Sequence, residues 1–133
     1  MSTWTAAGAD LTDAFKLLET GKLKSCRFLV DQTFQQRKPA FAAKIRELFG
    51  IESVRVTRNH AKFSLIKNDK WNLVLKTSMN LNFNPRLEDF DLQDSKELSD
   101  FLQGLMDEIY DRIPPRSLGM SMHGEKERFE RIK

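Results

Sequence analysis

The chain has 133 residues, a length that suits one domain. It is 40% hydrophobic and 31% charged, with 6 Gly and 4 Pro, which excludes a collagen, a low-complexity polymer and a mainly disordered chain. One Cys leaves no intramolecular disulfide framework and no Cys-based zinc site within one chain, and two His argue against a His-rich metal cluster. No stretch approaches the ~20 apolar residues of a membrane span. The opening Met1, Ser2, Thr3, Trp4 and Thr5 lack a charged and then an apolar region, so no signal peptide is expected. The expectation is a soluble cytoplasmic domain without cofactor, metal or membrane.

The net charge of +3 permits a polyanionic partner without demanding one. Its distribution says more. Acidic residues crowd positions 86–111 (Glu88, Asp89, Asp91, Asp94, Glu97, Asp100), whereas positions 37–76 are rich in Lys and Arg (Arg37, Lys44, Arg55, Arg58, Lys62, Lys67). An anion site is therefore expected mid-chain, with a solvated charged face as the plainer reading.

Residues 2–7 are short and apolar and read as a strand. Asp10 offers a helix N-cap, Leu11, Ala14, Phe15 and Leu18 recur at helical spacing, and Gly21 is a stop. Residues 23–31, with Cys26, Phe28, Leu29 and Val30, read as a buried strand in which Cys26 is a packing residue. Residues 32–38 are polar and read as a loop. Pro39 opens a helix with Phe41, Ile45, Leu48 and Phe49 as its stripe, and Gly50 ends it. This β-α-β-α order favours a parallel sheet flanked by helices.

The pattern then changes. Residues 53–57 alternate as a strand. Residues 60–67 and 71–79 are strand-like and joined by Asn68, Asp69 and Lys70, which is turn chemistry, so a hairpin is expected, with Phe63 and Trp71 in the core. Residues 80–87 read as a loop and 88–92 as one more short strand. Asp94 and Glu97 form a capping box. Leu98, Phe101, Leu102, Leu105, Ile109 and Ile113 keep helical period until Pro114 and Pro115. The division is a domain over 1–113 and a flexible tail over 114–133. The fold class is α/β, a mixed sheet flanked by helices.

The hairpin carries the candidate chemistry. His60 and Lys62 are two apart on one strand, and Ser78 and Asn80 two apart on the next, so each pair shares a face. A three-residue connection over 68–70 would set His60 against Ser78 and bring all four to one side. A two-residue loop would send the pairs to opposite faces. Converged, an imidazole, an ammonium, a hydroxyl and an amide suit a phosphate: Lys62 supplies charge, Ser78 and Asn80 neutral donors, and His60 a nucleophile or proton shuttle. Arg55, Arg58 and Lys76 could extend the site as a nucleic-acid track, or form a solvated edge.

H-x-K in one strand followed by S-x-N in the next resembles the motif of the phospholipase D superfamily, H-x-K-x4-D-x6-G-S-x-N. The β-α-β-α start and the segment Asn84, Pro85, Arg86, Leu87 and Glu88 after S-x-N are similar to that fold as well, in the form found in bacteria and their phages. Two positions depart: the motif Asp falls on Lys67 and the motif Gly on Thr77, with the second half three residues late. The resemblance implies metal-independent phosphodiester hydrolysis through a phosphohistidine. It makes His60, Lys62, Ser78 and Asn80 the site and Glu88 the acid that orients the imidazole. That chemistry uses two histidines. His123 is followed at position 125 by Glu125 rather than Lys, so the second must be His60 of a twin subunit in a symmetric homodimer. Nucleic acid is the expected substrate, from the basic surroundings of the motif and the absence of a membrane-docking stretch. Two alternatives stand beside the nuclease: a silent module that binds nucleic acid or a phosphorylated ligand through the same pocket, and a phage- or defence-associated interaction factor that uses the acidic last helix.

Overall fold

The computed structural model describes residues 2–3, 8–37, 39–79 and 87–115. The elements in chain order are β1 (Ser2–Thr3), α1 (Gly8–Glu19), β2 (Phe28–Asp31), α2 (Phe34–Arg37), α3 (Pro39–Phe49), β3 (Val54–Thr57), β4 (Phe63–Lys67), β5 (Asn72–Thr77), β6 (Phe90–Asp94) and α4 (Lys96–Arg112). A single 3-10 turn, Ile51–Ser53, leads into β3. The fold is mixed α/β, as expected. One six-stranded sheet runs β3-β2-β1-β4-β5-β6. Strands β1, β2 and β3 are parallel, β4 runs antiparallel to β1, and β4, β5 and β6 form an antiparallel meander.

The two faces of β2 divide the core. Phe28 and Val30 point to one side and pack with Leu11 of α1, Ala42 and Ile45 of α3, Phe34 and Val56. Leu29 points to the other side and packs with Phe63 and with Met106 of α4. The two parallel crossovers through α1 and α3 thus lie on one side of the sheet and α4 on the other, the layering that alternating side chains impose on a strand buried on both faces.

Both expected glycine stops hold: Gly21 at φ +70° and Gly50 at φ +81° occupy the left-handed region that lets a helix end sharply. Several boundaries move. Helix α1 begins at Gly8, so Asp10 is inside it rather than capping it. The strand expected over 23–31 is paired only from Phe28. Residues 34–37 are helical, not loop, because Phe34 is buried in the first core cluster and anchors the turn. The cap of α4 is Ser95, whose hydroxyl accepts the Leu98 amide at 3.3 Å, instead of Asp94, which ends β6.

Two packing expectations are corrected. Trp71 is exposed, although Phe63 is buried as expected. On α4 the inward face is Ser99, Leu102, Met106, Ile109, Tyr110 and Ile113, while Phe101 and Leu105 point outward. An apolar period of 3.6 leaves the choice of buried flank to the surface it meets, here the Leu29 and Phe63 side of the sheet.

Candidate functional site

The topology gathers polar residues at one end of the sheet. The carboxyl ends of β2 and β3 carry Asp31 and Thr57. Because β4 runs antiparallel to β1, its amino end with Lys62 lies at this same end, as do the carboxyl end of β5 with Ser78 and the amino end of β6 with Glu88 and Asp89. Open α/β sheets place their ligands outside the carboxyl ends of the parallel strands.

Residues 58–62 form the connection from β3 to β4, and β4 begins three residues later than expected, so His60 stands in this connection and not in a strand. Asp31 holds the connection. One of its carboxylate oxygens accepts the Asn59 amide at 3.0 Å, and the other accepts the amide and hydroxyl of Thr33 at 2.8 and 2.6 Å. Asn59 in turn accepts the Ala61 amide through its side-chain oxygen at 3.1 Å. Lys62 folds back over His60: its ammonium donates to the His60 carbonyl at 3.0 Å and lies 3.3 Å from His60 Nδ1. An ammonium can only donate, so Nδ1 is the acceptor if the two hydrogen-bond. His60 is exposed and Lys62 half-buried.

Ser78 is organised from the other side. Its amide donates to the Asp89 carbonyl at 3.0 Å, its hydroxyl accepts the Asp89 amide at 2.9 Å, and that hydroxyl donates to the Glu88 carboxylate. Thr77 joins the same cluster through its hydroxyl, which donates to the Asp89 carbonyl at 2.9 Å. Asn80 lies outside the described residues.

The expected hairpin register is corrected. Lys67 pairs with Asn72, and Thr77 donates its amide to the Lys62 carbonyl at 3.1 Å, so the connection is four residues, 68–71, and not three. The cause is local: the Asn68 side-chain oxygen accepts the amides of both Lys70 and Trp71, each at 2.8 Å, which draws Trp71 into the turn. The odd shift sets Lys62 level with Thr77 and Ala61 level with Ser78, so Lys62 and Ser78 belong to opposite faces. The sheet end therefore holds two pairs, His60 with Lys62 and Ser78 with Glu88, and the described contacts do not bring them into one hollow.

Two basic residues named in the sequence serve α4. Lys67, at the position of the motif acid, donates to Asp100 and to Gln103, both at 2.7 Å. Arg55, named for a nucleic-acid track, is buried. Its guanidinium lies 4.4 Å from the Tyr110 ring centroid and donates to the carbonyls of Glu52 and Val54, each at 3.0 Å. Cys26 packs beside the first core cluster, and burial pushes its thiol pKa up, as suits a packing residue. Asp31 and Asn59 were missed in the sequence; their only signal was an acid at a strand end, and its partner lies 28 residues away.

No family model matches this chain, and no curated protein or solved structure matches it significantly. No described helix is long and apolar enough to cross a membrane. Among the described residues, no three His, Cys, Asp or Glu side chains cluster as a metal site.

Proposed function

We propose that this protein binds phosphodiesters at the carboxyl end of the sheet, with the backbone of nucleic acid as the ligand class. The observation that carries the reading is the contact of Lys62 with His60. It sets an ammonium and an exposed imidazole side by side at the sheet end, a charged donor beside a ring that can donate, the pairing that suits phosphate oxygens. Asp31 and Asn59 brace the connection that holds them, so the pair is positioned before a ligand arrives.

A second reading is hydrolysis by a phospholipase D-like homodimer. It draws support from the collection of His60, Lys62, Ser78 and Glu88 at one sheet end. Hydrolysis would need His60, Lys62 and Ser78 around one phosphorus, whereas the register sets Lys62 and Ser78 on opposite faces. Binding needs no such convergence, and this favours it.

The test measures the anisotropy of fluorescein-labelled single-stranded and duplex oligonucleotides across a salt series, together with turnover of bis(4-nitrophenyl) phosphate in EDTA. Binding that weakens with salt, and about tenfold further in Lys62→Ala, supports the proposal. Equal affinity of wild type and Lys62→Ala overturns it. Turnover by wild type that vanishes in His60→Ala establishes the hydrolytic reading.

A further inference from the structure

We infer that the face of β4, β5 and β6 opposite α4, which no described helix covers, is a self-association surface that takes a second copy of this chain. This inference is independent of phosphate binding. Three strands present three residues each on the side opposite α4. Lys62, Thr77 and Phe90 lie level at one end, Ser64, Leu75 and Leu92 in the middle, and Ile66, Leu73 and Asp94 at the other. Helices α1 and α3 cover this side of the sheet over β2 and β3. Beyond them Ile66, Phe90 and Leu92 are 55%, 64% and 57% exposed. Three large apolar side chains exposed on one sheet face are more than scattered surface residues.

The charges on this face favour a second copy. Lys62 and Asp94 occupy diagonally opposite corners, and Ile66, Leu75 and Phe90 run along the other diagonal. A two-fold axis along the apolar diagonal turns Ile66, Leu75 and Phe90 onto their own copies. It also brings each Lys62 toward the partner's Asp94, twice over, so the patch is self-complementary in charge as well as in shape. The strands of the two sheets then cross at roughly 70°, nearer the orthogonal than the aligned sheet packing. The two Lys62 corners fall on opposite sides of the axis, so this is not the arrangement in which two copies of His60 share one phosphate.

The patch is small, with burial at or below about 1,200 Å² in total, and the dimer is of micromolar order. Sedimentation velocity on the full chain without nucleic acid, from about 1 µM to about 1 mM, tests it. Expected are a concentration-dependent dimer, about tenfold or greater weakening in Leu92→Glu, weakening in Asp94→Lys, and recovery when Lys62→Glu is added to Asp94→Lys. Circular dichroism checks that each variant is folded; Leu92 is exposed, so its replacement leaves the core intact. A wild type that stays monomeric to about 1 mM overturns the inference, whether or not residues 116–133 or a foreign partner occupies the face. So does a dimer unaffected by Leu92→Glu, or a charge reversal without recovery.

Discussion

The ring of Tyr110 lies 4.4 Å from the Arg55 guanidinium, and its hydroxyl spans the sheet. The hydroxyl accepts the Phe28 amide at 3.0 Å and lies 2.9 and 2.6 Å from the carbonyls of Phe28 and Ser53. Arg27 approaches the same ring at 4.9 Å. One side chain of α4 thus fastens the helix to β2 and to the entry of β3. Removing the hydroxyl in Tyr110→Phe strands a backbone amide at a half-buried site. The expected loss is about 1–3 kcal/mol in urea unfolding, with the cation–π contacts kept. Burial pushes the Tyr110 pKa up from 10.0 to about 12. The folded state therefore holds this proton more tightly than the unfolded chain, and its contribution is complete below pH 10 and fades as pH rises toward 12. In Tyr110→Phe that alkaline loss should be absent; an unchanged alkaline profile would exclude Tyr110 as its source.

Asp100 shows the opposite sign. Hydrogen bonds first from Lys67 and then from Lys96 hold its pKa at about 2, below the ordinary 3.8. Its contribution is present above pH 3.8 and is lost as pH falls toward 2. Acid titration of stability should be shallower in Asp100→Asn than in wild type over that window. Identical acid limbs would show that the pair contributes nothing measurable in solution.

Lys67→Asp introduces an acid at the position where the phospholipase D motif that the sequence resembles has one. It also places a carboxylate where Asp100 now receives an ammonium at 2.7 Å. Like charges replace an ion pair between β4 and α4, so stability should fall slightly at low salt, with part of the loss recovered at high salt. Thermal unfolding at two ionic strengths reads this, and a variant as stable as wild type would show that the bridge is dispensable.

Ser99 is fully buried, and its hydroxyl has no hydrogen-bond partner among the described residues. An unpaired buried hydroxyl costs free energy that alanine does not, and Ala is also the better helix former. Ser99→Ala should stabilise the protein by about 0.5–1 kcal/mol in urea unfolding. A destabilised variant would reveal a partner for the hydroxyl.

Asp31 is the brace of the candidate site. In Asp31→Ala the Asn59 amide and the Thr33 amide and hydroxyl lose their acceptor. The expected cost is about 1–3 kcal/mol, with faster hydrogen exchange at residues 58–62 than in α3. Uniform acceleration across the protein would mean that Asp31 supports global stability and not this connection in particular.

Local signals were enough to read most elements from the amino-acid order. Gly21 and Gly50 end helices because their backbone conformation disfavours a side chain. Pro39 opens α3 where its missing donor costs nothing. Phe28, Leu29 and Val30 form a continuous apolar run because both faces of β2 are covered. His60 and Lys62 do touch, but through the connection that holds His60 and not through the shared strand face expected from their spacing.

Tertiary structure decided what depends on distant partners. Lys67 reaches Asp100, and Tyr110 reaches Phe28 across 82 positions, so neither role could be read near the residue itself. The buried flank of α4 was chosen by Leu29 and Phe63, which left Phe101 outside. The hairpin register turned on the Asn68 side chain, which binds two amides and adds one residue to the turn. A strand alternates with a period of two, so that single residue set Lys62 and Ser78 on opposite faces.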